Sequence, residues 1–164
     1  MDSRLLHDLV GLARDPLRDG RQSERALEIQ RGVCRHFAAL DHAPLCEFVL
    51  PSGRRADIFL LGPKGEMIIV EIKSSLADFR VDQKWPEYLA DCDRFYFAVA
   101  PDFPLDVLPE DTGLIIADRF GAEMVRDATE NKVAAARRKS LTLRVARHAS
   151  LRLQQIADPG PNLE

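Results

Sequence analysis

A chain of 164 residues, 46% hydrophobic and 30% charged, has the size and proportions of one soluble unit with a core of its own. A net charge of −3, from 23 basic and 26 acidic side chains, excludes polyanion binding by overall charge, so any nucleic-acid contact must come from local clustering. No stretch approaches the roughly 20 apolar residues of a membrane span, and the N-terminus lacks the apolar centre of a signal peptide, so no membrane partner and a cytoplasmic location are expected.

Residues 1–20 read as an N-terminal extension, an apolar patch from Leu5 to Leu12 closed by Asp-Pro and Asp-Gly breakers and readable as a loose helix. The domain proper is expected over 21–157. Ser23 has the character of an N-cap, and Ala26, Ile29, Val33, Phe37 and Leu40 recur at helical spacing, which predicts a helix packed on a sheet. Arg31 and Arg35 on it could reach phosphates or pair with acids one turn away. Cys46 to Leu50 reads as a strand, and Pro51-Ser52-Gly53 suits a three-residue hairpin loop with glycine in the left-handed position. That loop sets Leu50 opposite Arg54 and Glu47 opposite Asp57. Cys34, Cys46 and Cys92 are odd in number, widely spaced and without histidines at ligand spacing. They read as reduced core residues, so any metal here should be held by oxygen.

The stretch from Arg54 to Lys73 carries the chemistry. Two apolar runs flank Gly62-Pro63-Lys64-Gly65, the pattern of a hairpin, yet Asp57, Glu71 and Lys73 sit inside the strands. Strand side chains alternate, so Glu71 and Lys73 share one face. A loop over Gly62 to Glu66 pairs Leu61 with Met67 and places Asp57 opposite Glu71; a four-residue loop sets Asp57 against Val70. The first register keeps both faces apolar apart from one cluster of Asp57, Glu71 and Lys73. Two carboxylates so close repel, and burying them is costly unless positive charge compensates. Lys73 offers one charge, and Mg2+ or Mn2+ would supply the rest through oxygen ligands. At a solvated strand end the same residues would be only a surface ion pair. Glu47, in the row Glu47, Asp57, Glu71, is the candidate third acid.

Ser74 to Arg80 reads as a cap and a helical turn, and Pro86 suits the first position of a new helix through Cys92. Trp85, Tyr88 and Leu89 are expected to cover the sheet. Gln83 and Lys84, polar and just past the strand of Lys73, could order an attacking water or hold a phosphate. Arg94 to Ala100 has the continuous apolar character of a central strand. Gly113 to Ala117 gives another strand and Glu123 to Val125 a short one. From Asn131 to Ala157 there are seven Lys or Arg residues and no acid, so this segment carries +7 and the remainder −10. Arg137, Arg138, Lys139, Arg144 and Arg147 form a candidate phosphate-binding stripe, with Leu143, Ala146, Leu153 and Ile156 as the face that packs back. The alternative is a solvated basic face. Residues 158–164 read as a disordered tail. These elements make an α/β fold, a mixed central β-sheet flanked by helices, without a glycine-rich phosphate loop.

An aspartate on one strand followed by Glu71-Ile72-Lys73 on the next resembles the core motif of the PD-(D/E)xK nuclease superfamily. More specifically, Gly53-Arg54-Arg55-Ala56-Asp57, Val70-Glu71-Ile72-Lys73, Asp82-Gln83-Lys84-Trp85-Pro86-Glu87-Tyr88 and Asp93 to Val99 are similar to the MmcB family of bacterial DNA repair proteins. Ala56 stands where the superfamily has the proline of its name. The resemblance implies a restriction-endonuclease-like core, DNA and possible repair proteins as partners, and a glutamate on the leading helix near the metal, for which Glu28 and Glu24 are available. It implies DNA hydrolysis with Asp57, Glu71 and Lys73 at the centre; by their positions Gln83 is expected beside them, and Arg54, Arg55 and Lys84 on the DNA backbone. The competing expectation is a nuclease-like fold that binds DNA or a repair partner without cutting.

Overall fold

The computed structural model describes residues 23–159. The extension expected over 1–20 and all but the start of the expected tail lie outside them. The elements in order are α1 (Glu24–Ala39), β1 (Ala43–Val49), β2 (Arg55–Leu61), β3 (Met67–Lys73), α2 (Leu76–Val81), a 3-10 helix (Trp85–Asp91), β4 (Arg94–Val99), β5 (Gly113–Ala117), β6 (Ala122–Arg126) and α3 (Ala135–Ala157). A further 3-10 turn spans Leu105–Val107. The strands form one mixed sheet in sequence order, β1 to β6. Pairing is antiparallel from β1 to β3, parallel from β3 to β5 and antiparallel at β6.

Both hairpin registers follow turn chemistry. Gly53 takes φ +84° in the first loop, and Leu50 N–H donates to the Arg54 carbonyl at 2.8 Å. In the second, Leu61 pairs with Met67, the register of the five-residue loop. Ser23 caps α1 by accepting from the Ala26 N–H at 3.1 Å. Gly32 lets α1 approach the β5–β6 turn, because a Cβ there would lie 2.0 Å from the Asp118 carbonyl oxygen.

Two cores result, one on each face. Ile29, Val33 and Phe37 of α1 meet Ile58, Val70, Ile72 and Tyr96 on one side. On the other, Leu141 of α3 joins Phe59, Ile69, Phe97 and the Trp85–Tyr88 segment, whose rings stack on Phe95. Pro86 falls at the second position, after Trp85, rather than at the first as expected, and the segment winds as a 3-10 helix. The expected packing face of α3 is corrected: Leu143, Leu153 and Ile156 are exposed. Leu141, Val145 and His148 face the protein instead, with His148 set edge-on against Phe48.

Candidate active site

The site lies where two central strands part. Pairing of β2 with β3 ends at Ile58 and Val70, although β2 begins at Arg55 and β3 runs on to Lys73. Beyond that point β2 stays on β1 as far as Val49–Arg55, and β3 stays on β4 as far as Lys73–Val99. Carboxylates fill the opening. Ile72 N–H donates to Asp57 Oδ2 at 2.8 Å, and Asp57 N–H donates to Glu71 Oε1 at 3.2 Å. Each acid thus satisfies a backbone donor that the ladder leaves unpaired, which holds both side chains in place.

A cleft of about 360 Å³ opens on them, and Arg55, Asp57, Glu71, Lys73, Asp78, Asp82 and Tyr88 line it, with Ser23 of the α1 cap. Among the described residues, four carboxylates therefore face two cations. Lys73 is buried, and its ammonium lies 3.0 Å from Asp82 Oδ2. Burial works against ionisation of Asp82, yet the bonded ammonium holds its carboxyl below the usual value. Asp57 and Glu71 go the other way. Burial raises Asp57 to about 6, against the Ile72 N–H that favours its charge. Burial and then the Asp57 charge push Glu71 well above the ordinary carboxylate range. Tyr88, also buried, donates from its hydroxyl to the Arg55 carbonyl at 3.1 Å.

The structure brings Asp57, Glu71, Lys73 and Arg55 together and leaves the other candidates outside. Pairing of β1 with β2 sets Glu47 opposite Asp57, but Glu47 has a left-handed backbone, φ +54°, and does not line the cleft. The kink turns Cys46 toward α1 and Phe48 to the opposite core. The Glu47 carboxylate meets Arg55 Nε at 2.6 Å. Glu24 and Glu28 line a separate crevice beside Ala100 and Ala117. The Gln83 amide donates to the Phe79 carbonyl at 2.7 Å, and neither Gln83 nor Lys84 lines the cleft. Arg54 is bidentate on Glu87, at 2.5 and 2.8 Å.

Arg137 and Arg138, members of the candidate phosphate-binding stripe, lie away from the cleft and pair with acids. Arg137 pairs with buried Asp91 at 3.1 Å, and Arg138 grips Asp93 at 2.8 and 2.6 Å and the Gly65 carbonyl at 2.6 Å. Asp93 precedes β4 and binds the Met67 N–H that starts β3, so these arginines stand at the far end of the sheet. Lys139 lines a surface recess with Lys132, Arg138 and Thr142, away from the cleft. Sequence reasoning missed Asp82 as the partner of Lys73 and Tyr88 as a cleft residue. Their signal was position: both fall in the segment that returns over the end of β3.

This donor set fits a hard divalent cation. Two buried carboxylates repel each other, the nearest ammonium bonds to another acid, and among the described residues no sulfur or imidazole lines the cleft. Among the described residues no three His, Cys, Asp or Glu side chains converge as a ready-made cage. Two carboxylates completed by water and a substrate phosphate is a usual arrangement for Mg2+.

Comparison with known proteins gives two matches. The family model for DNA repair protein MmcB-like matches residues 13–160. A solved structure of a protein of unknown function from Silicibacter pomeroyi is 46% identical, with a TM-score of 0.82, and the match covers 87% of this chain and 99% of that one. No curated protein matches. Among the described residues no helix is long and apolar enough to cross a membrane.

Proposed function

The chain belongs to the MmcB-like family of DNA repair proteins, and from that premise we propose that it is a nuclease that hydrolyses DNA phosphodiester bonds with Mg2+ or Mn2+. One observation carries the reading: Asp57 and Glu71 are held in the gap between β2 and β3 with carboxyls made costly to ionise, Asp57 by burial and the nearby Glu47 charge and Glu71 by burial and the Asp57 charge, beside a buried ammonium. A divalent cation held there would remove that cost and would supply polarisation of the scissile phosphate and acidification of a water.

The chain's own residues do the rest. Asp57 and Glu71, each fixed by its bond to a backbone N–H, would hold the cation. Lys73, oriented by Asp82, stabilises charge that develops on the phosphate oxygens. Arg55 at the mouth positions the DNA backbone without reading bases. Tyr88, bonded to the Arg55 carbonyl, anchors the strand that carries both Arg55 and Asp57. Branched, nicked, flapped and single-stranded DNA incubated with the protein and Mg2+ or Mn2+ provides the test. Cleavage is expected from the native protein and not from Asp57→Ala or Lys73→Ala; cleavage that survives either change undiminished refutes the assignment.

The backbone bonds of Asp57 and Glu71 favour a second reading, in which these acids only close the strand gap and the fold binds DNA or a repair partner without cutting. Thermal melting discriminates. Stabilisation by Mg2+ or Mn2+ that disappears in Asp57→Ala supports the nuclease, and melting indifferent to metal supports the binding module.

A further inference from the structure

We propose that DNA engaged at the cleft continues past it along the free edge of β1, held by Arg144, Arg147 and Arg152 on the distal half of α3. This path rests on the reading of the cleft as a DNA site and names a surface that reading does not use.

The β1 strand is an edge of the sheet. Leu50 bonds across to Arg54, whereas the carbonyls of Val49 and Glu47 bond away from β2, to the last helix. Two arginines meet those carbonyls: Arg144 Nε donates to Val49 O at 2.6 Å, and Arg152 Nη2 donates to Glu47 O at 3.3 Å. These bonds protect the edge from pairing with another strand. A neutral carbonyl also leaves the charge of each guanidinium in place, with further N–H groups available.

The two halves of α3 differ in this respect. Arg137 and Arg138 near its start are neutralised by Asp91 and Asp93. From Lys139 to Ala157 the helix contains no Asp or Glu at all. His148 lies within this field, and its imidazole is held below its usual value first by burial and then by the charges of Arg152 and Arg144. Arg147 is exposed on the same helix.

The placement is continuous with the cleft. Val49 pairs with Arg55, whose side chain lines the cleft mouth, so Arg144 stands next to that mouth and Arg152 further along the edge. The net-acidic body and this cationic edge, which no acid of the described residues pairs with, suit the evenly charged backbone of DNA, gripped through phosphates and without base recognition.

Fluorescence anisotropy with a labelled duplex in EDTA, repeated over a salt series, tests the path. Changing Arg144, Arg147 and Arg152 together to Gln should weaken binding at least ~10-fold and reduce the slope of log affinity against log salt by about 2 to 3, since each phosphate contact contributes roughly 0.9. Arg147→Glu alone, at an exposed position, should weaken binding about 3-fold or more with an unchanged melting temperature, and it decides the question if the triple variant unfolds. Absent binding, or affinity and slope unchanged by these substitutions, overturns the path. Cleavage by the native protein is scored separately. Arginine-dependent binding without cleavage refutes the nuclease and leaves the path standing, whereas cleavage with arginine-independent binding refutes the path alone.

Discussion

Asp57 and Asp93 sit at opposite ends of the same sheet and begin from the same job. Each accepts a backbone N–H where strands begin or part: Ile72 for Asp57, and Met67 and Val133 for Asp93. Their electrostatics then diverge. Burial opposes ionisation of Asp93 too, yet Arg138 and the two N–H donors hold it down at about 2. Asp57 has another acid for a neighbour, and the ammonium nearby is drawn to Asp82, so burial carries its carboxyl up to about 6. The difference teaches that counter-charge separates an acid satisfied within the chain from one that is not. Asp93 is paired within the chain and fastens α3 to the sheet, whereas Asp57 leaves a demand for positive charge that a ligand can meet.

The largest expected effect sits at the cleft. Asp57→Ala, Glu71→Ala or Lys73→Ala should each lower the cleavage rate by roughly 100-fold or more while the folded state persists, as read by gel assay beside circular dichroism. At the other end the effect should fall on stability. Asp93→Ala leaves Arg138 without its partner and two N–H groups without an acceptor, and should cost about 3 kcal/mol in urea unfolding with little direct effect on chemistry. Equal loss of activity at equal folded fraction for both aspartates would erase the contrast.

Next in size is the response of the metal-free protein to Asp57→Asn. The folded value of Asp57 is raised, so its protonated form is favoured in the fold, and its contribution to stability is present below about pH 4 and lost as pH rises through about 6. The amide keeps an acceptor for the Ile72 N–H, so the variant should gain on the order of 2 kcal/mol at neutral pH and nothing at pH 4. Asp93 has the opposite sign. Its contribution is present above about pH 4 and lost as pH falls toward 2, so Asp93→Asn should narrow its deficit in that window. Cation affinity, followed by Mn2+ titration, should rise as pH passes about 6 and Asp57 ionises. The smallest effect is expected at Glu47, whose carboxylate meets Arg55 outside the cleft: Glu47→Gln should change cleavage by less than ~10-fold. A loss as deep as that of Asp57→Ala would restore Glu47 to the ligand set.

What local chemistry controls was legible from the residues. Turn glycines and alternating apolar positions set both hairpin registers, so Leu61–Met67 pairing and the juxtaposition of Asp57 with Glu71 followed from a five-residue loop. The same reasoning failed for Glu47, because its place in the register was right but a left-handed backbone and an arginine removed its side chain from the cleft. It failed again for the basic segment, which composition treats as one stripe. The structure divides it, pairing Arg137 and Arg138 with acids 46 and 45 residues away and leaving the distal arginines on the β1 carbonyls.

The sequence by itself determined the sheet's hairpins, the two-faced core and the closeness of one aspartate, one glutamate and one lysine, because these depend on strand alternation and on loops of a few residues. Only the tertiary structure decided which charges are cancelled. The parting of β2 from β3, the return of Asp82 onto Lys73, the capture of Asp93 by Arg138 and the course of α3 along the sheet edge are contacts between distant segments, and electrostatic character depends on such neighbours rather than on residue type.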